Sequence, residues 1–139
     1  MQKLEKIIVE NVFKEKEPKT QFLKGNIKSA YLSKYAKIIR DLSDSYVENK
    51  KDGIALKMKE RDFIEAYALY YLPINFYKIS FLLSKIPSII FKDKQSVNFL
   101  DYGSGPATGA IAVSEFCEKL NINLRITLYD KSKEMLNLG

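Results

Sequence analysis

Residues 97–108, Val-Asn-Phe-Leu-Asp-Tyr-Gly-Ser-Gly-Pro-Ala-Thr, constrain the fold more than any other stretch. An apolar, β-leaning run ends in Asp101, two glycines follow one residue apart, and a helix-permissive stretch then begins. The pattern predicts a strand, a glycine-rich turn and a helix whose N-terminal amides approach a ligand. Gly103 and Gly105 suit such a turn because it can demand positive φ, and because a Cβ would hold the ligand off. An ordinary βα turn in some other α/β protein has the same local grammar.

The residues around the glycines narrow the ligand. The dinucleotide fingerprint G-x-G-x-x-G fails at its third glycine, where Thr108 stands and Gly109 comes one residue late. A phosphate loop of the G-x-x-x-x-G-K-[ST] kind is excluded, since no lysine follows either glycine at that spacing. Asp101, at the end of the first strand, repels a pyrophosphate. It suits a ligand carrying an ammonium group and ribose hydroxyls, such as S-adenosylmethionine, and the acid-x-Gly-x-Gly form resembles the first motif of the S-adenosylmethionine-dependent methyltransferases. Asp130 ends the next strand, residues 124–129, and lies 29 residues after Asp101. Ligands of open α/β sheets bind outside the carboxyl ends of the strands, so an acid there is placed to accept both hydroxyls of a ribose. Its alternative role is to cap a helix over 131–138, and both roles can hold at once.

Composition sets the outer bounds. A chain of 139 residues fits one ordinary domain, and 46% hydrophobic with 12% aromatic residues argues for a folded one. The single Cys117 excludes an internal disulfide, favours a reducing compartment and reads as a small core residue. There is no histidine, which removes histidine catalysis and the usual histidine-rich zinc sites. Residues 1–40 hold ten Lys/Arg against four Glu, and from Pro18 to Arg40 there are six basic residues and no acid. Such an arm suits nucleic acid or an anionic surface. A solvated helix face in a lysine-rich chain accounts for the same charges. Glu5, Glu10, Glu15 and Glu17 break any presequence pattern, so a cytoplasmic location is expected. Residues 66–84 carry only Lys78 as a charge, but Pro73, Asn75 and Ser80 interrupt them, so a buried helical pair is expected and no membrane partner.

The helical pattern fills the N-terminal part. Leu4, Ile7, Ile8 and Val12 predict an amphipathic helix over 2–15, ended by Pro18. Ile27, Tyr31, Tyr35, Ile38, Leu42 and Tyr46 stripe a second helix over 26–48, with Lys28, Lys34, Lys37 and Arg40 mostly off the stripe. A turn at 49–53 leads to a third helix over 58–72, and Pro73 opens a fourth, 73–86, closed by Pro87. After the glycine loop, residues 106–120 read as a helix with Ala107, Ala110, Ile111, Ser114 and Phe116 near the sheet. The expected fold class is α/β. A helical N-terminal leader over 1–90 precedes, over 91–139, the first β-α-β unit of a doubly wound, Rossmann-like methyltransferase sheet. A parallel sheet needs both faces and several strands covered. The sheet is therefore expected to be incomplete, the 139-residue chain to lack methyltransferase activity by itself, and Val97, Phe99, Ile126 and Leu128 to lie exposed.

These residues together resemble a known family. Residues 99–108 are similar to the Leu-Asp-x-Gly-x-Gly-Pro-Gly-Thr loop of the methyltransferase-like ribosomal small-subunit family, whose mitochondrial members act in assembly of that subunit. Residues 128–132 and 135–139 resemble its second strand and following helix, and residues 66–73 resemble its upstream segment Ala-Tyr-x-x-x-Arg-x-Pro. The similarity spans roughly residues 20–139, with Ala107 in place of the usual glycine and Tyr71 in place of the arginine. It implies S-adenosylmethionine as cofactor, held by Asp101, Tyr102, Gly103, Ser104, Gly105 and Asp130. Asp101 and the Gly103–Gly105 backbone would face the methionine end and Asp130 the ribose. The cysteine cluster that the family links to an iron–sulfur centre has no match here, and no catalytic residue and no metal ligand are assigned.

The expected function is that of a methyltransferase-like protein acting on the small ribosomal subunit, by rRNA methylation or in subunit assembly. The alternatives are a non-catalytic RNA-binding assembly factor that keeps the fold as scaffold and, from another class, a nucleotide-dependent oxidoreductase, against which Asp101 argues. The RNA partner is assigned to basic residues 19–40, while the oligomeric state is left open. RNA affinity should therefore fall steeply with salt. Neutralising Lys28, Lys34 and Lys37 together should flatten that dependence, measured as the slope of log affinity against log salt. An identical slope in the triple variant would show that the arm is merely solvated.

Overall fold

The structure is a computed structural model that describes Ile8, residues 29–47 and residues 60–138. The helix expected over 2–15 and the turn at 49–53 lie outside the described residues, apart from Ile8, which is helical and buried. The described elements are α1 (Ser29–Val47), α2 (Arg61–Leu83), a 3-10 turn (Ser88–Phe91), β1 (Ser96–Tyr102), α3 (Thr108–Lys119), β2 (Asn123–Tyr129) and α4 (Lys133–Leu136). The protein is thus mixed helix and parallel strand. It divides into two compact units, the first running to Tyr71 and the second from Leu72.

In the first unit, α1 buries the stripe that its periodicity requires. Tyr35 and Leu42 are buried and Ile38 is half-buried, while Lys34, Lys37 and Arg40 are exposed. The start of α2 answers with Phe63, Ile64, Ala66 and Ala68, all buried. One polar group is buried with them. Glu65 is 1% exposed, and its carboxylate accepts from the Tyr35 hydroxyl at 2.6 Å and from Arg61 Nε at 2.9 Å. A buried carboxylate persists only when its oxygens are hydrogen-bonded, so this pair fixes which faces of α1 and α2 meet. Lys34 adds a half-exposed ion pair with Asp62 at 2.7 Å.

The expectation that Pro73 starts a new helix is corrected, because α2 runs through it from Arg61 to Leu83. Pro73 gives no N–H to Leu69, and its ring disfavours helix at the preceding residue. Burial on both sides offsets this, since Leu72 and Phe76 are both buried. The helix then stops at Leu83, short of the expected 86, and Pro87 caps the 3-10 turn instead.

In the second unit, β1 and β2 pair in parallel with Ser96 opposite Asn123 and Tyr102 opposite Tyr129. Parallel neighbours need a crossover, and α3 supplies it. Val113 and Cys117 of α3 pack with Ile122, and Val97, Phe99 and Leu124 of the strands close over them. The α3 residues against this core differ partly from expectation. Ala107, Ala110, Ala112, Val113 and Cys117 are buried, whereas Ser114 is exposed and Ile111 and Phe116 are half-buried. The exposed strand residues also differ. Val97, Phe99 and Leu128 are half-buried, because the pleat turns odd positions of β1 and even positions of β2 toward α3. Leu100 (61%), Tyr102 (77%) and Tyr129 (54%) are the exposed ones, and of the expected set only Ile126 is exposed. No described helix is long and apolar enough to cross a membrane.

The Tyr35–Glu65 bond yields a direct test. Tyr35→Phe removes one donor from a buried carboxylate and should destabilise the protein by about 1–3 kcal/mol. Urea unfolding followed by circular dichroism checks this, and an unchanged midpoint would show that the hydroxyl carries no stability.

Candidate functional site

The loop between β1 and α3 is stitched to the end of β2. The carbonyl of Tyr129 accepts two loop amides, Gly103 N at 2.7 Å and Ser104 N at 3.1 Å. Ala107 N then returns to the Ser104 carbonyl at 3.0 Å and closes the turn. This path requires three left-handed residues in five: Gly103 at φ +74°, Gly105 at +52° and Ala107 at +58°. The glycines adopt it without steric cost. Ala107 does not, and it stands where the resembled family has glycine.

Both acids singled out in the sequence accept from backbone amides here, Asp130 from the loop and Asp101 from the helix that follows it. Asp130 Oδ2 accepts from Gly105 N at 2.8 Å, while its Oδ1 accepts from Ser132 N at 2.8 Å. The cap of α4 is Ser132, whose hydroxyl accepts from Met135 N at 3.2 Å, so Asp130 is the loop clamp and not the helix cap. Asp101 turns to the other side. Its Oδ2 accepts from Ala110 N at 3.0 Å, in the first turn of α3, where the helix dipole favours a negative charge.

That contact explains a residue left without a role by the sequence. A Cβ on Gly109 would lie 2.7 Å from Asp101 Oδ2 and 3.2 Å from its Cγ. The late glycine therefore lets the strand-end carboxylate pass beneath the helix. The signal was present as a glycine displaced from the dinucleotide pattern, but its meaning depends on a contact between elements.

The two loop glycines differ from Gly109, since a Cβ on Gly103 or Gly105 meets nothing within 4 Å. Between them Ser104 is 6% exposed and its hydroxyl has no hydrogen-bond partner among the described residues. An orphaned buried hydroxyl costs about 1–3 kcal/mol, which a ligand atom can relieve. Of the expected site residues, Asp101, Gly103, Ser104, Gly105 and Asp130 thus meet at one loop. Tyr102 points to the sheet's other face, stacked on Tyr129 with ring centres 4.8 Å apart. Tyr71 belongs to an aromatic cluster with Tyr67 and Tyr70, where burial raises its hydroxyl above the ordinary range, partly offset by a hydrogen bond with Ser43. Burial likewise pushes the Cys117 thiol up, which keeps it protonated and inert. No acid, cysteine and histidine cluster able to hold a metal occurs among the described residues. Comparison with family models, curated proteins and solved structures finds no match for the chain.

Two reciprocal substitutions test this account of the loop. Ala107→Gly should stabilise by about 0.5–1 kcal/mol, as relief of left-handed strain outweighs the entropy gained by the unfolded chain. Gly109→Ala should destabilise by about 1–3 kcal/mol by forcing Asp101 off Ala110. Urea titration of both variants checks the pair, and equal midpoints would show that neither strain nor the close approach matters.

Proposed function

We propose that the chain is a methyltransferase-like, S-adenosylmethionine-binding protein directed to the RNA of the small ribosomal subunit, with β1, α3 and β2 as the first unit of a Rossmann-like sheet. The observation that carries this reading is the loop itself. Open space beside two left-handed glycines adjoins a buried, unpartnered serine hydroxyl, at the carboxyl ends of two parallel strands. The donor set fits the cofactor. A carboxylate has about four acceptor lobes, and Asp130 uses its two oxygens once each, so capacity remains for ribose hydroxyls. Asp101 and the Gly103–Gly105 backbone would border the methionine end.

The same charges speak against a nucleotide-dependent oxidoreductase. A pyrophosphate at this loop would meet carboxylates on both sides, and Asp101 already takes an amide of the α3 first turn. When bound, the cofactor supplies an electrophilic methyl group. The chain's own part is positioning, which needs no protein nucleophile. A second reading, a non-catalytic RNA-binding assembly factor, is favoured by one specific feature: Asp130 already satisfies a loop amide and Asp101 an amide of the α3 first turn, so the loop and its flanks hold their shape without a ligand.

Calorimetry with S-adenosylmethionine separates the two. The cofactor reading expects binding by the 139-residue chain. Asp130→Ala should weaken it by about 1.5–3 kcal/mol through loss of charge-assisted bonds, and Gly105→Val should abolish it sterically. Absence of binding, with RNA affinity retained, leaves the scaffold reading. Unchanged affinity in Asp130→Ala removes that residue from the site.

A further inference from the structure

From Ala66 to Lys92 the chain holds no acid, and the only charge in α2 after Glu65 is Lys78. The part of α2 in the second unit is therefore apolar nearly all round. Leu72 and Phe76 are buried, and Leu83 packs against the Val113, Cys117 and Ile122 core. The other side of the helix is uncovered. Steps of four put Tyr77, Phe81 and Lys85 in one row, Lys85 just past the helix end, and Lys78 and Leu82 in the row beside it. All five are exposed, Phe81 by 61% and Leu82 by 65%. The Lys85 ammonium lies over the Phe81 ring at 4.8 Å, which confirms that the two share a side. A helix apolar all round is ordinarily a buried one, and this one leaves large side chains in water.

We propose that this face of α2 docks an amphipathic helix of another protein. The partner helix sets two carboxylates against Lys78 and Lys85, and aliphatic side chains between them against Phe81 and Leu82. Charge complementarity selects this occupant. Neither lysine has an ion-pair partner among the described residues, and no acid lies near them in the sequence. Seven residues separate the two lysines, about 10 Å along a helix. That is one heptad, so a single helix lying alongside can answer both with acids at the same spacing. A second copy of this chain would set lysine against lysine across the contact, which repels. A lipid surface takes apolar groups inward and leaves cations at the headgroups, whereas here inserting Phe81 would carry the Lys85 ammonium with it.

The inference is independent of the reading of the glycine loop and of the basic residues 19–40. Fluorescence anisotropy of the full chain tests it with a labelled alanine-based helical peptide bearing leucines on one face and two Glu one heptad apart. The parent chain should bind this peptide, less tightly as salt rises. Phe81→Ala and Leu82→Ala should each lower affinity about tenfold or more, through lost apolar burial. Reversing both charges, Lys78→Glu with Lys85→Glu, should abolish binding of the Glu peptide. The same variant should bind the peptide that carries Lys in place of both Glu, a charge swap that only direct pairing explains. All four side chains are exposed, and circular dichroism confirms that the variants fold.

Several results overturn the inference. No binding of the Glu peptide by the parent chain does so, as does equal binding of the Glu and Lys peptides. Unchanged affinity in Phe81→Ala and Leu82→Ala removes the face from the contact. Sedimentation showing a dimer that Leu82→Ala splits makes the face a self-interface instead. Co-sedimentation with phosphatidylserine vesicles that Leu82→Ala abolishes, without peptide binding, makes it a lipid surface.

Discussion

The second unit depends on how two carboxylates reach backbone amides across the ends of two strands. Asp130 holds Gly105, Asp101 holds Ala110, and the Tyr129 carbonyl holds Gly103 and Ser104. These bonds link the loop to both strands and to the first turn of α3. They also compensate for a backbone path with three left-handed residues, one of them an alanine. A bond from a charged acceptor contributes about 1.5–3 kcal/mol, while one left-handed non-glycine residue costs about 1–2 kcal/mol. A single clamp is therefore of the size needed to offset the strain at Ala107.

Such a loop is shaped before any ligand arrives, which reduces the ordering cost of binding. It also shifts the meaning of the two acids. An acid at a strand end can face a ligand or brace the backbone, and here Asp130 braces the loop and Asp101 the first turn of α3. The ligand-facing role that the resemblance implies for Asp101 must then share a carboxylate already hydrogen-bonded to α3. Asp130 is better placed to serve both, since it lies over the loop and has acceptor capacity left.

What was legible in the sequence was local. The strand that carries Asp101, the glycine turn, the helix after it and the strand that leads to Asp130 all follow from residue chemistry within a few positions, and each is present, with the strands ending at Tyr102 and Tyr129. The α1 stripe was legible for the same reason, since Tyr35 and Leu42 recur at helical spacing. What failed needed contacts between elements. Pro73 is a strong local breaker, yet burial around Leu72 and Phe76 carries α2 through it. Gly109 had no local explanation because its reason is a carboxylate on another element. The exposed face of the sheet was assigned to the wrong parity, because alternation within a strand does not say which side the crossover helix takes.

That parity gives the strand ends two sides with different chemistry. On the α3 side, Asp101 reaches the helix, while the loop opens space beside its glycines. On the other side, the residue before Gly103 and the residue before Asp130 are the two stacked tyrosines. The backbone is shared. Gly103 N and Ser104 N both bond to the carbonyl of Tyr129, so the loop cannot move without shifting the peptide that carries one ring of the stack. The loop and the tyrosine pair thus share one carbonyl, and a hydrogen-bonded junction a few ångströms across joins the two sides of the strand ends.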